Sequence, residues 1–225
     1  MLKANKIKWF ESLFRLYNRN LLKRRFRSLR VKNLSALKNR SEKKPLIIYA
    51  NHSSWWDGLV LFEILNTGNF DSYVLMEEKQ LKKYRFFQWL GAFSIDRENP
   101  RAMLESLDYA AELLGSGSGK TLVIFPQGEI LPNDLRPIKF FRGLSYIIDK
   151  TAQCRIIPCS LRYEFLGDYK PDIFVRFGNP ETIESGPEFE RKRLTAELES
   201  KMSLNLDSLK SDIIEMNFDE FLNIL

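Results

Sequence analysis

The chain has 225 residues, 44% apolar and 28% charged, so it can build one sizeable core and lacks the bias of a disordered, fibrous or disulfide-stapled protein. No apolar run approaches the ~20 residues of a bilayer span, and no apolar stretch follows the basic start as in a signal peptide, so the chain is expected not to cross a membrane. Its net charge of +6 is unevenly placed: residues 1–44 carry fifteen Lys and Arg against two Glu, while the remainder carries 20 against 27 acids. An anionic partner is therefore expected for the N-terminal segment alone.

Residues 1–27 are expected to form a basic amphipathic helix lying in the membrane interface. Ile7, Phe10, Phe14, Tyr17 and Leu21 recur at steps of three and four and share one helical face, which Trp9 and Leu13 widen. Lys8, Arg15, Arg19 and Lys23 gather on another side. Aromatic residues opposite a basic stripe suit an anionic membrane surface, with each cation adding about 1 kcal/mol. The competing reading is a helix packed on its own domain with a solvated basic face. No zinc-finger, helix-turn-helix or RNA-platform motif accompanies the charge, so nucleic acid is not an expected partner.

From residue 28 to 225 one domain is expected. Strands are predicted at 29–33, 45–50, 72–76, 121–125, 155–161 and 173–177. Helices are predicted at 56–65, 80–90, 101–114 and 143–151, followed by a C-terminal covering layer from about residue 188, helical at 188–205 and 209–224. Runs such as Leu122-Val123-Ile124-Phe125 read as strands buried on both faces. Alternating strands and helices predict an α/β domain, with a mostly parallel or mixed central sheet covered by helices. Cys154 and Cys159 are not spaced as a CxxC pair, so reduced thiols in a cytosolic setting are expected. Gly115-Ser116-Gly117-Ser118-Gly119-Lys120-Thr121 looks like a phosphate loop, but Leu114 stands where the spacing requires Gly. The run also precedes a strand, and so it reads as a helix-to-strand turn. There is no Gly-x-Ser-x-Gly elbow of a serine hydrolase.

The chemistry gathers at the only histidine. His52 follows Leu46-Ile47-Ile48-Tyr49-Ala50 and opens Asn51-His52-Ser53-Ser54-Trp55-Trp56-Asp57. One His and two Cys make a His/Cys zinc site improbable, so no metal is expected. An imidazole acting near neutral pH must be His52. In α/β sheets ligands bind beyond the carboxyl ends of strands, which is where His52 stands. A helix starting at Trp56, with Ser53 or Ser54 as its cap, puts Asp57 in the first turn, where it can fold back towards His52. A carboxylate on one ring nitrogen fixes the tautomer, leaves the other nitrogen as a base and stabilises the imidazolium that forms. The nucleophile would be a hydroxyl of the substrate, and such general-base catalysis contributes ~10²–10⁴-fold.

Three further elements accompany this pair. Gly91-Ala92-Phe93-Ser94-Ile95-Asp96-Arg97 ends an apolar strand in an acid and a base. Phe125-Pro126-Gln127-Gly128-Glu129 turns sharply after a buried strand, and Ile156-Ile157-Pro158-Cys159 lies in another apolar strand. Taken singly, these read as a surface ion pair, a tight turn and a core strand with a proline bulge. In this order and spacing, over roughly residues 28–180, the set resembles the glycerolipid (lysophospholipid) acyltransferase family, which includes 1-acyl-glycerol-3-phosphate acyltransferases. Residues 51–57 match that family's NHxSxxD motif. Gly91–Arg97 is similar to its second motif, Phe125–Glu129 to Phe-Pro-Glu-Gly-Thr-Arg, Phe141-Arg142-Gly143 to the Phe-Lys-x-Gly element, and Ile157-Pro158 to the fourth.

The resemblance implies transfer of an acyl chain from coenzyme A or acyl carrier protein, as co-substrate, to a lipid hydroxyl without a bound cofactor. It implies His52 as the base, Asp57 as its orienting partner, and Arg97, Gln127, Gly128, Glu129 and Arg142 as holders of the acceptor. Asn51, Ser54 and backbone N–H groups near Ser54–Asp57 are expected to support the site or the oxyanion. The protein would be cytoplasmic and peripheral on the inner face of the cell membrane. Gln127 departs from the family's Glu, and Ile130 stands where an Arg for the acceptor's phosphate is usual. Arg97, Arg136 or Arg142 then supplies that charge, or the acceptor lacks phosphate there. A thioesterase and a catalytically inactive lipid-binding protein are the alternatives to acyl transfer.

Overall fold

A computed structural model describes residues 1–37, 44–116, 119–186 and 188–225. The Gly-Ser turn therefore falls partly outside the described residues, at 117–118. Among the described residues nine strands form one mixed sheet: β1 Ser28–Lys32, β2 Leu46–Ala50, β3 Asp71–Glu77, β4 Ala92–Ile95, β5 Lys120–Ile124, β6 Gln153–Glu164, β7 Asp172–Phe177, β8 Glu181–Glu184 and β9 Phe221–Asn223. Their order is β4-β3-β5-β2-β6-β7-β1-β9, with β8 beside the first half of β6. The central strands β4, β3, β5, β2 and β6 run parallel, whereas β7, β8 and β9 each pair antiparallel with a neighbour.

Helices cover both faces: α1 Lys8–Arg25 and α2 Asp57–Thr67 on one, and α4 Pro100–Gly115, α5 Gly143–Thr151 and α6 Arg191–Ile214 on the other. Strand alternation explains how one apolar run serves two cores. Ile48 and Ala50 of β2 pack with Val60, Leu61 and Ile64 of α2, while Ile47 and Tyr49 pack with Leu107, Ile147 and Leu198 of α4, α5 and α6. Cys154 and Cys159 are buried free thiols in β6.

Three expectations are corrected. The stretch 80–90 is not one helix: α3 Glu78–Lys83 ends at Tyr84, and Arg85–Leu90 is a 3₁₀ turn whose Phe86 and Phe87 pack on Phe14 of α1. At the C-terminus α6 runs unbroken to Ile214, and Phe221–Asn223 forms an edge strand on β1 instead of a second helix. The expected gap after residue 205 is helical too: Asn205 is buried, and its Nδ2 donates to Ser160 Oγ (2.8 Å) and to Arg176 O (3.1 Å), which ties that turn to the sheet. The strand β8 was not anticipated, because Glu-Thr-Ile-Glu has only one apolar residue to bury.

The N-terminal helix is docked on the body. Phe14, Asn18 and Leu22 are its buried residues. Asn18 Nδ2 donates to Leu59 O (3.1 Å) and to the fully buried Glu63 (3.3 Å) of α2. Much of the anticipated apolar face thus packs on the protein itself. The rest of it, Trp9, Leu13 and Tyr17, stands 57–68% exposed together with Leu16. Among the described residues no helix is long and apolar enough to cross a membrane.

Candidate active site

The parallel strands β2, β3, β4 and β5 end at the same edge of the sheet and deliver the predicted motifs there. His52 lies two residues beyond β2, Phe125–Glu129 follow β5, and Asp96–Arg97 follow β4. Asp57 is the first residue of α2 and is fully buried, and its carboxylate turns back over the connecting loop. His52 Nδ1 and Asp57 Oδ2 are 2.8 Å apart. The same oxygen accepts the backbone N–H of Ser53 (2.7 Å) and Ser54 (2.9 Å). One carboxylate oxygen therefore orders the loop and orients the imidazole. Phe125 stacks on the imidazole ring, with centroids 4.4 Å apart and planes 26° apart.

Sequence reasoning missed Tyr163. Its hydroxyl donates to Asp57 Oδ1 at 2.6 Å. Burial holds this phenol protonated far above its usual range, and the Asp57 charge adds to the effect. Tyr163 reaches the site because β6 outruns β2: Ala50 pairs with Cys159, and β6 continues to Glu164. Residues 159, 161 and 163 share a sheet face, so alternation counted from Cys159 was the available signal.

The other site residues divide into struts and rim. Asn51 is a strut. Its Nδ2 donates to Leu161 O (3.0 Å) and Asn133 Oδ1 (2.7 Å), and its Oδ1 accepts the Leu161 N–H (2.8 Å). Its amide is thus turned towards β6, not towards a reacting oxyanion. The backbone N–H of Ser54 is likewise taken by Asp57, and Ser54 Oγ accepts the Trp56 N–H (3.3 Å). These two residues brace the loop around His52. Gln127 is also a brace: it is buried, and its Oε1 accepts the His52 N–H at 2.9 Å. With Leu131 N–H bonded to His52 O (2.8 Å), the loop after β5 is tied to the histidine on both sides.

Gly128 has φ +73°, and a Cβ there would lie 2.5 Å from Arg97 Nη1 and 2.8 Å from Phe141, so a larger residue would strain the turn and displace both side chains. Arg97 and Glu129 are exposed on the rim with Ile130, the Arg97 guanidinium 5.5 Å from the Phe141 ring centroid. Arg142 is not brought to the cavity, although its neighbours Phe141 and Gly143 line it. Arg136 instead pairs with Asp207 on α6 (2.5 Å). Of the arginines considered for an acceptor phosphate, Arg97 alone lines the cavity. Among the described residues no cluster of three or more His, Cys, Asp or Glu could hold a metal ion.

From His52 a cavity of about 500 Å³ runs into the protein between α2 and the strands β3 and β5. Leu61, Phe62, Leu65, Val74, Leu75 and Leu90 give it an apolar wall, and Phe14 of α1 closes part of it. A polar dyad at the mouth of an apolar cavity suits a ligand with a long hydrocarbon part and a reactive polar end.

Comparison with known proteins points the same way. A family model described as Acyltransferase matches residues 28–162. A 1-acyl-sn-glycerol-3-phosphate acyltransferase of Streptococcus pneumoniae is 34% identical over 116 residues, half of this chain but only 39% of that protein's length. The crystal structure of PlsC from Thermotoga maritima, a 1-acyl-sn-glycerophosphate (LPA) acyltransferase, superposes with a TM-score of 0.66 at 17% identity. That match covers 90% of this chain and 80% of the other, and it shows a shared fold.

Proposed function

We propose that this chain, which belongs to the acyltransferase family, moves a fatty acyl group from a coenzyme A or acyl-carrier thioester to a hydroxyl of a lysophospholipid or related polar lipid. The observation that carries this reading is the His52–Asp57 pair, 2.8 Å apart, at the mouth of the apolar cavity of about 500 Å³. With Nδ1 directed at Asp57, Nε2 is the ring nitrogen left for substrate. It takes the proton of the acceptor hydroxyl as that oxygen attacks the thioester carbonyl. The tetrahedral intermediate then collapses, the carbon–sulfur bond breaks, and the leaving sulfur takes the proton from Nε2, which returns His52 to its neutral form. Asp57 stabilises the imidazolium between these steps. No covalent acyl-enzyme is needed.

The hydrocarbon tail of the donor suits the cavity below His52, and the acceptor's polar part suits the rim of Arg97, Gly128 and Glu129. An acyl chain and a lysolipid both reside in a bilayer, so peripheral attachment to the cytoplasmic membrane surface belongs to the same proposal. The exposed Trp9–Leu13–Leu16 stripe, next to Lys8, Arg15 and Lys23, supports α1 as the attaching element. The test is a radiolabelled acyl-thioester assay, with both carriers, against a panel of lipid alcohols and with products identified by mass spectrometry. Transfer is expected from the native chain and not from a folded His52→Ala variant. Undiminished transfer by that variant refutes the mechanism, and thioester loss indifferent to every acceptor marks a thioesterase.

A further inference from the structure

We infer that the loop joining β6 to β7, residues 165–171, is a second contact with an anionic membrane, separate from the stripe on α1. The inference rests on the membrane reading above and adds an independent point of attachment. Two aromatic side chains are held out into solvent in this one short loop: Phe165 is 68% exposed and Tyr169 is 84% exposed. Two aromatic rings exposed four residues apart in one loop, beside the cations below, make a candidate interfacial surface. The loop is not loosely tethered. Arg27 Nη1 donates to Leu166 O (3.1 Å), the Arg27 N–H donates to Pro171 O (3.0 Å), and Lys170 Nζ reaches Lys23 O (3.4 Å). Gly167, at φ +74°, and the Asp168 carboxylate, which accepts the Lys170 N–H (3.2 Å), shape the turn between the two aromatics.

Charge selects the partner. The loop is pinned to the last turn of α1, where Lys23, Arg24 and Arg25 are exposed, and it contributes Lys170. The acids nearby are Asp168, Glu164 and Asp172. Glu164 is paired with Arg162 (3.1 Å), and Asp172 is paired with Arg27. The surplus is positive, and aromatic rings flanked by cations match the headgroup layer of an anionic bilayer.

Position gives the contact a purpose. The loop leaves β6 two residues after Tyr163, at the sheet edge that carries His52. The exposed stripe of α1 lies opposite its buried Phe14, Asn18 and Leu22, and at its far end it reaches the same Lys23 and Arg24. Two contacts along one face stop the helix from rolling and keep the cavity mouth at the interface.

The test measures partition of the full chain onto phosphatidylcholine vesicles with and without phosphatidylglycerol. The variants are Phe165→Ser/Tyr169→Ser in the loop and Trp9→Ser/Leu13→Ser/Leu16→Ser on α1. The loop variant is expected to lose about tenfold in partition onto phosphatidylglycerol vesicles, with unchanged circular dichroism and unchanged turnover of a short-chain thioester with a water-soluble alcohol. A second measurement places an environment-sensitive thiol label at Tyr169→Cys, where the exposed ring stood, the native thiols being buried. Its emission should shift to the blue with phosphatidylglycerol vesicles. Native partition by the loop variant and an unshifted label overturn the loop contact, while loss in the α1 variant alone leaves the α1 reading standing. Failure of the native chain to bind either vesicle removes both. Equal binding to phosphatidylcholine alone overturns the anionic assignment.

Discussion

Replacing Asp57 by Asn separates the two roles that one carboxylate performs. Asp57 Oδ2 accepts three donors, His52 Nδ1–H and the backbone N–H of Ser53 and Ser54, while Oδ1 accepts the Tyr163 hydroxyl. In Asp57→Asn the amide oxygen can take over the three donors, and the amide NH₂ can face Tyr163, whose hydroxyl can accept instead of donate. Loop shape and histidine tautomer are then kept while the charge is lost. What disappears is attraction between the carboxylate and the imidazolium of the transition state. With the two charges about 4 Å apart and an effective dielectric near 20, this is about 4 kcal/mol, or roughly 10³-fold in rate. The assay is kcat/KM for acyl transfer from a radiolabelled thioester, with thermal unfolding measured in parallel. The expected result is a loss of about 10²–10³-fold with a melting temperature close to the native one. A folded Asp57→Asn variant within about threefold of native kcat/KM would show that Asp57 only ties the loop, and the dyad argument would fall.

Three other outcomes follow from the same geometry. Tyr163→Phe leaves a buried carboxylate oxygen without its donor and should cost about 1–3 kcal/mol of stability, read as a fall in melting temperature; kcat/KM should drop less than in Asp57→Asn, and an unchanged melting temperature counts against the contact. Gly58 lines the cavity, and a Cβ there meets nothing within 4 Å, so Gly58→Leu should fold normally and shift donor preference to shorter chains in a competition among thioesters. Asp134 is held down to about 2 by its bonds to Arg162 and then Lys210, below its ordinary 3.8. Its stabilising effect is therefore present above the ordinary value and lost as pH falls towards the lowered one. Accordingly Asp134→Asn should melt below the native protein near neutral pH, and the gap should close near pH 2.

Much of the fold was legible because its strands are short apolar runs. Leu46–Ala50 and Lys120–Ile124 appeared within one residue of their predicted bounds, since each centres on an apolar run buried on both faces. The dyad was legible for a similar local reason: Asp57 lies five positions after His52, and a strand end followed by a helix start leaves few ways to connect them. Where local pattern and tertiary partner disagreed, the reading failed. The helix predicted to end at Asn205 continues through it, its side chain bonded to β6 and β7, whereas Phe221–Asn223 looked helical and was drawn to the free edge of β1.

Composition and order along the chain by themselves determined the α/β class, the basic N-terminal helix, the lone imidazole and the carboxylate next to it. These depend on periodicity and on spacings of a few residues, which the backbone enforces locally. Only the tertiary structure decided which face of α1 docks on α2, that Gln127 and Asn51 brace the histidine loop, that Arg136 is committed to α6, and that Tyr163 completes the contacts of Asp57. Each of those pairings spans 41 or more residues of chain. Contacts at such separations are fixed by sheet order and strand length, which no local pattern encodes: β6 runs past the end of β2, and so a tyrosine 106 residues from Asp57 reaches it.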